Sequence, residues 1–133
     1  MSLPTDIRAI GATLYFLPVH TRMPLKFGGE TVTYVTCARA RMTVRDAAGA
    51  TAEGWGETPL SVTWVWPSTL GYEERHAAMK GFCEKLAEAW ACFDMNGHPM
   101  EVGQDFIDDV LPGLLELHNE GAAEPMPWLA ALV

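Results

Sequence analysis

The side chains that could do chemistry in this 133-residue chain are spread out rather than gathered. His20, His76, His98 and His118 stand far apart, with no His-Glu-x-x-His pair for zinc and no matched serine or cysteine nucleophile motif. They read as surface or packing histidines. Glu101, Asp105, Asp108 and Asp109 recur at four- and three-residue steps, so on one helix they share a face. Such a stripe can invite a divalent cation, but a solvated acidic face is the commoner outcome, and no metal ligand is assigned. Cys37, Cys83 and Cys92 are odd in number and lack zinc-type spacing; they read as reduced thiols packed as small apolar groups in a cytoplasmic protein. Gly54-Trp55-Gly56 is followed by Glu57, Thr58 and Pro59, not by a third glycine opening a helix, which excludes a phosphate-binding loop. Gly54 and Gly56 imply a bulge or a close backbone approach at a strand end. Glu57 is placed to accept hydrogen bonds from backbone donors or an arginine, a structural role. No catalytic residue is assigned.

Composition narrows the class. About half the chain (49%) is hydrophobic and a fifth (20%) charged, as in a globular domain that packing alone can stabilise. The net charge of -8 argues against nucleic acid, and no apolar run is long enough to cross a bilayer. The charge is uneven. Residues 1–46 hold six cations against three carboxylates, whereas residues 47–133 hold three against fourteen. The basic half suits an anionic ligand better than the acidic half does.

Two periodicities divide the chain. Asp6 to Leu17 reads as a strand ended by Pro18, and Val32 to Arg45 alternates strictly. Val32, Tyr34, Thr36, Ala38, Ala40, Met42 and Val44 share one face, with Arg39, Arg41, Thr43 and Arg45 on the other. Small Ala38 and Ala40 would let a helix sit close. Asp46-Ala47-Ala48-Gly49 is a turn, and residues 50–56 return as a third strand. His20 to Glu30 is too long and too apolar for a hairpin turn and is expected as a covering loop that exposes Met23, Leu25 and Phe27. From Tyr72 to Phe93 a helical period places Met79, Phe82, Cys83, Leu86, Trp90 and Phe93 on one side, with Glu73 and Glu74 at the positive N-terminal end. A second helix from Met100 buries Val102, Phe106, Val110, Leu111 and Leu114, with a kink or restart at Leu111/Pro112. A third begins near Pro127 and ends apolar at Val133, an ending that suggests a chain cut short. Of the clustered Trp55, Trp64 and Trp66, at least one is expected to pack against the helices.

The fold class expected is therefore α+β: a three-stranded antiparallel β-meander followed by a small bundle of about three helices. Gly54-Trp55-Gly56-Glu57-Thr58-Pro59-Leu60 after the third strand, Trp64-Val65-Trp66-Pro67-Ser68, and Arg22-Met23-Pro24-Leu25-Lys26-Phe27-Gly28 narrow it further. Together they resemble the N-terminal capping domain of the mandelate racemase and muconate-lactonizing enzymes of the enolase superfamily. The resemblance implies that residues 1–127 form the cap and residues 128–133 start the first helix leading to a (β/α)7β barrel absent from this chain. It implies a parent that abstracts the proton α to a small carboxylate substrate with Mg²⁺, as a racemase, epimerase, dehydratase or cycloisomerase, its base and metal ligands lying on the barrel. This chain alone would be inert, with no cofactor of its own, and expected as a homo-oligomer. Its loops would contact substrate through Arg22, Leu25, Lys26, Phe27, Gly28, Thr58, Leu60 and Trp64: Arg22 or Lys26 against an anionic end, Leu25, Phe27, Leu60 and Trp64 as an apolar wall. The alternative is a stand-alone binding or oligomerisation module of the same fold.

Overall fold

The computed structural model describes residues 2–27 and 30–133. Among them are three antiparallel strands, β1 (Ile7–Phe27), β2 (Glu30–Asp46) and β3 (Thr51–Pro59), in the order β1-β2-β3. Helical segments follow: α1 (Val62–Val65), α2 (Tyr72–Ala91), α3 (Pro99–Asp105), α4 (Leu111–Asn119) and α5 (Trp128–Leu132). A π-helical turn, Phe106–Val110, joins α3 to α4. The domain is α+β, a meander and then helices.

Alternation on β2 sorts the two faces of the sheet. Ala38, Ala40 and Met42 lie opposite Phe16, Leu14 and Ala12 on β1 and opposite Thr58, Gly56 and Gly54 on β3. On this face α2 settles against the sheet, and Leu14, Ala40, Cys83, Leu86 and Trp90 meet around a shared crevice. The other face is polar and aromatic. Arg39 donates to Glu57, the Arg41 guanidinium lies 5.8 Å from the Trp55 ring, and Trp55 stacks on Tyr15 at 5.9 Å. Tyr15 and Trp55 are both exposed there. The β2–β3 turn is built as expected: the Asp46 carboxylate accepts from the N–H groups of Ala48 and Ala50 at 2.9 and 2.8 Å, and Gly49 has a φ of 90°.

Three expectations need correction. Pro18 does not end the first strand; β1 runs on to Phe27, so residues 20–27 of the expected covering loop form a β-ribbon with β2, while Gly28 and Gly29 lie outside the described residues. Proline is tolerated because β1 is an edge strand, where one side of the backbone needs no partner. The irregularity lies further on: His20 pairs with Tyr34 and Leu25 with Val32, leaving residues 21–24 as a wide bulge opposite Thr33. Gly54 and Gly56 make neither a bulge nor a close approach. They pair with Met42 and Ala40 without a register shift, and a Cβ at either would meet nothing within 4 Å. On the outer strand a missing side chain leaves space instead of admitting a neighbour. The first long helix stops at Ala91, short of Phe93.

The core is organised by the run that follows β3. Leu60, Val62, Val65 and Trp66 turn inward and pack with Met79, Phe82, Leu111, Met126, Ala130 and Ala131. Of the three clustered tryptophans, Trp66 is buried whereas Trp55 and Trp64 are exposed. The break expected at Leu111/Pro112 is the π turn. Proline at 112 lacks an N–H and its ring crowds the carbonyl four residues back, so the ladder widens over Phe106–Val110 before α4 begins at Leu111. Phe106 there stacks on Trp90, with ring centroids 4.0 Å apart. α5 buries Ala130 and Ala131 and exposes Trp128, Leu129 and Leu132. The segment before it is clasped by Asn119, whose amide donates to the Met126 carbonyl and accepts from the Met126 N–H at 3.0 and 2.8 Å. Among the described residues no helix is long and apolar enough to cross a membrane.

Phe82 is 1% exposed at the centre of this core. Phe82→Ala should cost about 3–5 kcal/mol of stability, read by urea unfolding, whereas Met23→Ala, at a position 70% exposed, should stay within about 0.5 kcal/mol.

Candidate functional site

Beyond Cys37, which pairs with Pro59 at the end of β3, the sheet narrows to the β1–β2 ribbon. That ribbon and the inward-turning run after β3 face each other across a cavity of about 860 Å³. Leu25, Val32 and Val35 line it from the ribbon, Leu60, Val62 and Trp64 from the opposite side, and Tyr34 and Tyr72 complete the wall. The polar residues among its lining are Thr21, Thr31, Thr33, Ser61 and Thr63 as well as the two tyrosines. The size falls within the usual range of small-molecule sites, about 300–1,000 Å³.

The residues expected to touch substrate are divided by this geometry. Leu25 and Trp64 both line the cavity; Leu60 lines it but is 1% exposed, so it serves the core as much as the wall. Thr58 lies instead on the helix-facing side of β3, at the crevice beneath α2. Arg22 and Lys26 are exposed on the ribbon and are not among the lining residues. Gly28 and the side chain of Phe27 lie outside the described residues.

Beside the cavity sits a polar junction that single-residue motifs did not reveal. The Thr36 hydroxyl shares a 2.9 Å hydrogen bond with His76 Nε2 and a 3.5 Å one with the Tyr34 hydroxyl, while its carbonyl accepts from the Leu60 N–H at 2.8 Å. Tyr72 stacks on the His76 ring at 5.6 Å. Loss of solvation lowers the His76 pKa below its ordinary value, and the Lys80 charge adds to the effect against an opposing pull from Glu73. Next along α2, the buried Arg75 donates to the Trp66 carbonyl at 2.6 Å. The available signal was spacing: Tyr72 and His76 are four residues apart on one helix, and Tyr34 and Thr36 alternate onto one face of β2.

Other chemistry finds no footing. Among the described residues no three His, Cys, Asp or Glu side chains gather in a way that could hold a metal ion. The acidic stripe is interrupted by the π turn, where Asp108 instead accepts from the Gln104 amide at 3.0 Å. Burial pushes the Cys37 thiol up, with the nearby Glu57 carboxylate adding to the shift, and burial pushes Cys83 up to about 11. Neither is a ready thiolate at neutral pH. His118 is likewise held below its ordinary pKa, first by burial and then by Lys85. The chain matches no family model, no curated protein and no solved structure.

A histidine whose folded-state pKa lies below its unfolded one binds fewer protons when folded. Its contribution to stability is complete above the unfolded value, about 6.5, and is lost as pH falls from there through the lowered value. Urea unfolding between pH 7.5 and 5.5 should show stability falling with acid. His76→Gln should flatten that fall, and adding His118→Gln should flatten it further; an unchanged slope would show that neither ring is desolvated as described.

Proposed function

We propose that this chain is the N-terminal capping and substrate-specificity domain of an enolase-superfamily enzyme of the mandelate racemase and muconate-lactonizing type. The observation that carries the reading is the meeting of two separated segments across one cavity. The end of β1, with Leu25, faces the run that follows Gly54-Trp55-Gly56-Glu57, with Leu60 and Trp64. A cap works by closing such segments over a barrel mouth, excluding water and selecting the part of the substrate remote from the reacting carbon. The order of meander and then helices is consistent with it.

In this reading the parent removes the proton α to a small carboxylate, and Mg²⁺ bound by the barrel supplies charge stabilisation for the enediolate. The described residues offer that metal no ligand set. What these residues do is bind and orient: Leu25 and Trp64 wall the substrate's distal group, and the Thr36–His76 junction holds Tyr34 and Tyr72 in place behind it. The free cysteines fit a cytoplasmic setting. The second reading, a stand-alone binding or oligomerisation module, is favoured by one observation, the exposed Tyr15–Trp55 stack on the uncovered sheet face.

Two measurements separate the readings. Residues 1–133 alone should incorporate no solvent deuterium α to the carboxylate of a mandelate, muconate or sugar-acid panel, with or without Mg²⁺, by proton NMR; measurable exchange would refute the inert-cap reading. The coding sequence downstream of Val133 should encode a Lys-x-Lys or equivalent base followed by acidic residues at three successive strand ends. A downstream frame without them leaves the module.

A further inference from the structure

A cavity selects by what lines it, and the chemistry of this lining is one-sided. In a chain with a fifth of its residues charged, none of the described residues lining the cavity carries a formal charge. Aromatic and branched aliphatic residues supply most of the lining, and its polar residues are threonines, a serine and two tyrosines. The two cations nearest in sequence to Leu25, Arg22 and Lys26, stand outside the lining. A carboxylate or phosphate entering here would shed water and meet no opposing charge among the described lining residues, which leaves its desolvation uncompensated. An uncharged ring or branched chain loses little hydration, gains the apolar wall, and can pair an alcohol or carbonyl oxygen with a threonine, serine or tyrosine hydroxyl.

We infer that the cavity between Leu25 and Trp64 binds an uncharged, aromatic or branched aliphatic group bearing hydroxyl or carbonyl oxygens. That this group is the distal end of a carboxylate substrate rests on the capping reading, and it then excludes substrates whose distal end is a second carboxylate or a phosphate. Binding itself needs only the chain described above.

The test uses residues 1–133 and the neutral fluorescent probe N-phenyl-1-naphthylamine. Its fluorescence should rise saturably, and 2-phenylethanol should displace it at least tenfold more effectively than phenylacetate, an anion of matched size. Leu25→Asp and Trp64→Asp alter positions 49% and 69% exposed, so their circular dichroism should match that of the parent while probe affinity falls at least tenfold. Amide shifts on adding 2-phenylethanol should centre on Val35, Ser61 and Tyr72. The inference is overturned by non-saturable binding, by equal displacement with the anion, by undiminished affinity in both variants, or by shifts centred on Ala40, Cys83 and Trp90 in the crevice under α2. Any of these leaves the capping reading standing, whereas deuterium exchange by the chain alone removes that reading and leaves the binding result intact.

Discussion

Thr36 fastens three parts of this molecule that the chain order keeps apart. Its carbonyl takes the Leu60 N–H as the chain leaves β3, its hydroxyl meets His76 on α2, and its own strand is the centre of the sheet. Each of these groups is buried, so each would carry an unpaired polar atom if the others moved away. The inward course of Leu60, Val62, Val65 and Trp66 starts from this point, and in the buried core cluster that run, the helices and Met126 ahead of α5 supply every described member except Ala38 of the sheet. The sheet therefore acts as a platform and the post-β3 run as the keystone.

The same arrangement explains where the cavity lies. A segment that dives into the core at Leu60 must leave the surface beside the last β2–β3 pair, and there the sheet loses its third strand. The ribbon continues alone, α1 turns away from it, and the space between them is filled by neither. Its wall is largely apolar because it extends the core's own surface, and none of its described residues is charged, the exposed Arg22 and Lys26 standing outside it. On the opposite face of the sheet, Arg39–Glu57 and Arg41–Trp55 are held across strands by pairing register alone. Being solvent-exposed, they contribute little to stability.

The elements that were legible in the residues are those set by periodicity. The alternation of Val32 to Arg45, the Asp46–Gly49 turn and the apolar face through Met79 and Phe82 each follow from side-chain spacing, and the break at Pro112 follows from a missing N–H. What was not legible depends on partners distant in sequence. Pro18 looks like a terminator until β1 is known to be an edge strand. Gly54 and Gly56 look like a motif until their surroundings prove empty. His76 reads equally as a surface or a packing histidine and Arg75 is marked by no motif, and it is the hydroxyl of Thr36 and the carbonyl of Trp66 that receive them in the interior. Leu25 and Trp64 are expected in two loops over a substrate and both line the cavity, while Tyr34 and Tyr72, which line it with them, had no motif to mark them.

The ribbon's width has a mechanical meaning. A three-stranded sheet backed by a helix resists bending across its strands, but two strands joined only to each other do not. The bulge at residues 21–24 removes regular pairing near the middle of the ribbon. Leu25 thus lies just past the interruption, on two strands alone, whereas Trp64 lies on the run whose neighbours Val62, Val65 and Trp66 are packed into the core, so the two sides of the cavity differ in what supports them.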